Sequence, residues 1–294
     1  MTPSAAALRN PVGSHVRVGR GLVEGALATA EEIGAEAIQV FAGNPRGWAH
    51  SSGDAARDTA FREACAARGI RVWVHAPYLV NLGSPTATTY ERSVASVAHN
   101  LVRAAAIGAE GVVVHTGSCV DEGSLEQAMR QVHEGLLPLL DRLEEDAPWL
   151  LLEPTAGQGR SLCAGVEDLG AYLEALDRHP RVGVCLDTCH VFAAGAPLDE
   201  PGGTTATLDR LVEVAGPGRL RLVHANDSLD VRGSARDRHE RIGDGQIGTG
   251  AFTEVFTHPA TTGVPLVLET RGSGEPGGPC LPLLRKLREA AARR

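Results

Sequence analysis

The 294-residue sequence has no apolar run approaching the ~20 residues that a membrane span requires, so no membrane role is expected. Its first stretch, MTPSAAALRNPVGS, lacks the charged segment followed by an apolar one that marks a secretory leader; a cytoplasmic location is expected. The six cysteines, at positions 65, 119, 163, 185, 189 and 280, form no CxxC pair. Free thiols in a reducing compartment follow, not a disulfide framework. Surplus positive charge is missing too. With 28 Lys and Arg against 36 Asp and Glu the formal net charge is −8, which argues against holding nucleic acid by bulk electrostatics.

What is present is alternation. Short β-branched or leucine-rich runs (VGSHV, AIQVF, RVWVH, GVVVH, WLLLE, RVGVCLD, LRLVH and VPLVLE) are separated by Ala/Leu/Arg/Glu-rich helical segments. Eight strands in a chain of this length, with no composition break or linker, predict an α/β fold with a single-domain (β/α)8 TIM barrel over residues 13–294. Residues 1–12 read as a poorly ordered extension. The stretch 225–249, NDSLDVRGSARDRHERIGDGQIG at its heart, is too long and polar for a plain connector and predicts a functional loop.

Six of the eight runs end in His, Asp or Glu, although the chain has only 36 acidic residues and 11 histidines. In a parallel barrel every strand points its C-terminus at the same rim, so His75, His115, Glu153, Asp187, His224 and Glu269 are expected to converge there. Alone, each reads as a loop cap or a surface residue. Together, crowded imidazoles and carboxylates require cations among them, and mixed nitrogen and carboxylate donors suit zinc, manganese or iron. His190 follows Asp187 by three residues, and Asp237 and His239 stand two apart, where extended backbone points both the same way. Nine donors exceed the needs of one ion and imply two or three, at a rim metal site suited to phosphoryl chemistry. His50, His99, His133, His179 and His258 read as surface or packing residues, and His15 sits near the rim without a role.

The segments VHAPYLVNLGSP, VVHTGS, LLEPTAGQG, RVGVCLDTCHVFAAG, VHANDS, RDRHERIGDGQIG and PLVLET resemble, in order and spacing, those of the endonuclease IV family of apurinic/apyrimidinic DNA-repair endonucleases. The resemblance runs from about Gly13 to Glu269. It implies a TIM barrel with three Zn2+, Mn2+ or Fe2+ being alternatives at one site. It assigns His75, His115 and Glu153 to one ion, Glu153, Asp187, His224 and Glu269 to a second, and His190, Asp237 and His239 to a third, with Glu153 orienting the nucleophile. The implied reaction is incision of duplex DNA 5′ to an abasic site, leaving a 3′-hydroxyl and a 5′-deoxyribose phosphate, with trimming of blocked 3′ ends. Arg46, Tyr78 and Leu79 are implied to fill the gap left by the missing base, and Asn44 and Arg238 to lie near phosphates. A monomer is expected.

Gly43 and Leu229 stand where many relatives carry lysine, Pro154 replaces a polar residue and Thr116 a proline. The competing reading is a sugar isomerase or epimerase of the xylose-isomerase-like barrels. Such a site needs about four ligands, and leaves His75, His115, His190, Asp237 and His239 unused.

Overall fold

The structure, a computed structural model, describes residues 10–120, 124–270 and 278–293. Eight parallel strands follow one another around a closed barrel: β1 (Val12–His15), β2 (Ala37–Phe41), β3 (Arg71–His75), β4 (Gly111–His115), β5 (Trp149–Glu153), β6 (Val182–Asp187), β7 (Leu220–His224) and β10 (Leu266–Leu268), the last pairing back onto β1. Between β7 and β10, two short antiparallel strands, β8 (Asp227–Ser228) and β9 (His239–Glu240), clasp the long loop.

Helices wrap the outside: α1 (Ala28–Ile33), entered through a π-helical turn at Leu22–Leu27, α2 (Ala55–Arg68), α3 (Ala87–Ile107), α4 (Leu125–Leu140) and α5 (Leu169–Ala175). After the short rim helix α6 (Thr188–Ala193) come α7 (Gly203–Ala215), α8 (Thr249–Thr257) and α9 (Cys280–Ala291). Their sequences explain their ends and faces. Asp54 caps α2 by accepting from Arg57 N at 2.9 Å, and Gly69 closes it at φ 66°, a left-handed conformation that costs a residue with Cβ. On α3 the buried positions Ser93, Val97, Asn100, Ala104 and Ile107 recur every three or four residues, forming one stripe against the barrel. Arg103 forks onto Asp58 at 2.7 and 2.8 Å and ties α3 to α2.

The two-residue period of a strand separates two cores. Ile38, Val40, Val72, Val74, Val112, Val114, Leu150 and Leu152 point out toward the helices. Ala37, Trp73, Val113, Leu151, Cys185, Leu222 and Val267 fill the barrel interior. The next inward position on each strand is the rim. Trp73 therefore precedes His75, Val113 precedes His115, Leu151 precedes Glu153, Cys185 precedes Asp187, Leu222 precedes His224 and Val267 precedes Glu269. A register shift between Val184 and Cys185 brings Asp187 level with His224.

The barrel starts earlier than the sequence reading places it. Val12 already opens β1, Pro11 O accepts from Leu266 N at 2.8 Å, and the buried Asn10 side chain donates to Thr261 O and to Val264 O. Closing the ring against β10 requires these residues. Residues 1–9 of the expected extension lie outside the described residues. Among the described residues no helix is long and apolar enough to cross a membrane.

Candidate metal centre

Glu153 is the hub. At the end of β5 and fully buried, it directs Oε2 to His75 Nε2 at 3.2 Å and to His115 Nε2 at 3.3 Å. Its Oε1 faces His224 Nδ1 at 2.8 Å. One carboxylate thus serves two groups of donors, an arrangement suited to bridging. On the far side His224 Nδ1 lies 3.3 Å from Glu269 Oε2 and 3.8 Å from Asp187 Oδ2.

Asp187 repeats the pattern one step along. It caps α6 by accepting from His190 N at 3.1 Å, which is why an acid ends the apolar run of β6 and why His190 returns to the rim three residues later. Its Oδ2 stands 3.5 Å from His239 Nε2. Asp237 Oδ1 closes the group, 3.2 Å from His190 Nε2 and 3.1 Å from His239 Nε2. The donor atoms fall into overlapping sets, each within 4.8 Å: His75, His115 and Glu153; Glu153, Asp187, His224 and Glu269; Asp187, His190 and His239. The family resemblance assigns Asp187 to the second set alone, whereas its position also reaches the third.

Two features of the site fit cations. The ring nitrogens His190 Nε2 and His239 Nε2 are buried without a hydrogen-bond partner, although a carboxylate oxygen lies close to both. Orphaned buried nitrogens are costly, and a cation shared with Asp237 satisfies them. Other rings are oriented from behind: His75 Nδ1 meets Ala76 O at 2.6 Å and His190 Nδ1 meets Pro154 O at 3.1 Å, leaving Nε2 of each toward the carboxylates. This is how metal-binding imidazoles are held. The charge balance agrees. Burial pushes the Glu153 carboxyl up, yet His224 and His115 hold it well below the usual range, and Glu269 is brought down to about 2, chiefly by His224 acting against burial. The residues present fit a cluster of divalent ions.

Several supporting residues escape the sequence reading. Asn226 donates through Nδ2 to Asp187 Oδ2 at 2.7 Å and accepts at Oδ1 from Glu269 N at 2.9 Å; Thr188 Oγ1 donates to Asn226 O at 2.6 Å. Asp227, fully buried, accepts from the amides of Ser228, Gly243, Ile247 and Gly248 at 2.8, 2.9, 2.8 and 3.2 Å and so folds the loop that presents His239. Both sit inside VHANDS, where a polar pair directly after a strand end is the available signal. Cys185 and Cys189 also place sulfur within 4.8 Å of site donors, beside Glu153 and His224 and beside Asp237 and His239 respectively. Burial pushes both thiols up, Cys185 to about 12. All six cysteines are free and buried.

The residues expected to meet DNA surround this mouth. Tyr78 and Leu79 are exposed, and the Tyr78 ring stands 5.7 Å from His75 and 6.2 Å from His115. Asn44 and Arg46 are exposed in the neighbouring loop, where Asn44 Oδ1 accepts from Arg46 N at 2.9 Å; Tyr78 N donates to Pro45 O at 3.0 Å and joins the two loops. Arg238 forks onto Asp230, with Nε 2.6 Å from Oδ2. Five of the other histidines lie away from the mouth: His50 stacks on His99 at 4.3 Å, His133 meets Ala175 O, His179 accepts from Arg181 N, and His258 bonds Asp209.

Fold and rim together define a xylose isomerase-like TIM barrel, and the family model so described, AP endonuclease 2, matches residues 27–292. The chain belongs to the endonuclease IV family. A protein of Streptomyces coelicolor named "Probable endonuclease 4" is 57% identical over 282 residues, covering 96% of this chain and 96% of its own. Another of that name, from Methanoculleus marisnigri, is 39% identical and covers 88% and 92%. The crystal structure of endonuclease IV from Thermus thermophilus superposes with a TM-score of 0.81 at 35% identity, covering 96% of this chain and 99% of that one. A D-tagatose 3-epimerase-like protein, 17% identical with a TM-score of 0.69, shares the fold alone.

Proposed function

We propose that this protein is a metal-dependent apurinic/apyrimidinic endonuclease that hydrolyses the phosphodiester 5′ to an abasic site in duplex DNA. In this reading it leaves a 3′-hydroxyl and a 5′-deoxyribose phosphate, trims blocked 3′ ends, and works with three zinc ions. The supporting observation is the overlap of the donor sets, with Glu153 belonging to two and Asp187 to two. An isomerase site of about four ligands around one or two ions has no use for a linkage that runs through three donor sets. When bound, zinc supplies Lewis acidity toward phosphoryl oxygens and lowers the pKa of water.

The residues divide the remaining work. Glu153, fully enclosed and facing His75 and His115 with one oxygen and His224 with the other, fixes the spacing of the first two sets and orients the nucleophile between them. Asp187, His190, Asp237 and His239 hold the set beside the departing 3′-oxygen. An abasic sugar has no base to keep it in the stack, so extruding it costs less than extruding an intact nucleotide. Tyr78, Leu79 and Arg46, exposed beside the mouth, fill the vacated space.

The deciding experiment offers the protein a duplex with one abasic analogue, with chelator, and again after zinc is restored. Incision 5′ to the analogue, abolished by chelator and recovered with zinc, is expected. An intact duplex in the zinc-loaded arm would overturn the proposal.

A further inference from the structure

Strand β2 contributes none of the nine proposed ligands, yet it sends one polar side chain into the floor of the site. Gln39, the inward position after Ala37, is fully buried, directly above the apolar interior layer of Ala37, Trp73, Val113, Leu151, Cys185, Leu222 and Val267. An amide placed there is costly unless its hydrogen bonds are made. They are made: Gln39 Nε2 lies 2.6 Å from Glu269 Oε1 and 3.1 Å from His15 Nδ1, and Oε1 lies 2.8 Å from His224 Nε2.

The chemistry of the partners fixes every direction. Carboxylates only accept, so the NH2 end must face Glu269, and its second hydrogen goes to His15 Nδ1. The amide oxygen can only accept, so the His224 nitrogen facing it carries hydrogen. His224 Nδ1, opposite Glu153 Oε1 and Glu269 Oε2, is then the nitrogen left for a cation. Glu269 is constrained likewise: Oε1 is taken by the amide and Oε2 is turned to the site.

We propose that Gln39 is a positioning residue for the second metal set, selecting the nitrogen of His224 and the oxygen of Glu269 that face the cation, with His15 holding the amide from behind. The proposal rests on the metal reading above. It gives His15 and β2 a place in the site that strand-end spacing could not.

The test compares zinc-loaded wild type with Gln39→Leu and Gln39→Glu; the latter keeps an acceptor for His224 but has no N–H for Glu269 or His15. Val40→Ala, one residue along β2 and facing the outer core, controls for general damage to the strand. Zinc per chain is measured against graded chelator, and the His224 ring is followed by 15N NMR. Both Gln39 variants should release one of three ions at about 10–100-fold lower chelator and keep the other two. The His224 Nε2–H signal should move, while Val40→Ala melts earlier with metal retention and signal unchanged. Equal retention in wild type and both Gln39 variants, with that signal unmoved, would overturn the role. Should wild type itself hold one ion, the metal reading fails, and the His224 signal still decides the part assigned to Gln39.

Discussion

At the scale of single residues, Glu153 matters most because its two oxygens are not interchangeable. Glu153→Gln keeps the shape but offers an amide nitrogen to one donor set, so incision should fall by about 10²–10³-fold or more. Single-turnover assays on the abasic duplex measure this; an undiminished rate removes Glu153 from the mechanism. The imidazoles carry a second prediction. Burial opposes charge on His190, His224 and His239, but the surrounding anionic groups outweigh it and raise each above the ordinary 6.5. In metal-free protein their contribution to stability is complete below 6.5 and is lost as pH rises through the raised folded values. Glu269, lowered to about 2, contributes above its ordinary 4.5 and loses that contribution as pH falls toward 2. Bound cations take the place of the ring protons, so the loaded protein is spared the alkaline loss. The difference in Tm between loaded and metal-free protein should therefore widen from about pH 6 to about pH 8, by calorimetry. A constant difference would mean that these rings are not ligands.

Elements set what is legible in the sequence. Strand ends are readable because a parallel barrel gives every strand one direction and a two-residue period, so apolar runs stopping at His75, Glu153 or Asp187 report a shared rim. Gln39 is not readable, since it lies mid-strand and its partners are 24, 185 and 230 residues away. The thiols of Cys185 and Cys189 look like ordinary buried cysteines because only the curvature of the barrel brings them beside the donors. The loop between β7 and β10 is recognisable as functional, but not the element that shapes it, since the strands of its clasp are two residues long. Asp227 does that shaping, and Gly245 is packed so tightly on it that a Cβ there would overlap Asp227 Oδ1. Asp227→Ala orphans four amides and should cost about 3 kcal/mol or more, with early hydrogen exchange at Gly243, Ile247 and Gly248. Slow exchange at those amides in the variant would show that β8 and β9 hold the loop without the carboxylate.

For the whole molecule the question is how a protein of net charge −8 holds a polyanion. Gly43 and Leu229 provide no cation, and the Arg238 fork is occupied by Asp230. The three dipositive ions proposed above would outweigh the four carboxylates proposed to hold them and would concentrate attraction at the mouth of the barrel. Two consequences are separable by fluorescence anisotropy on a duplex with a cleavage-resistant abasic analogue. Affinity should drop sharply when metals are removed, and the dependence of log K on log salt for loaded protein should be shallow, equivalent to about two or three phosphates. Asp230→Ala releases Arg238 and its second partner Arg236, and should steepen that slope by about one or two phosphates. A steep slope that survives metal removal would instead locate binding on a basic surface away from the rim, and would detach DNA recognition from the donor sets that Glu153 and Asp187 join.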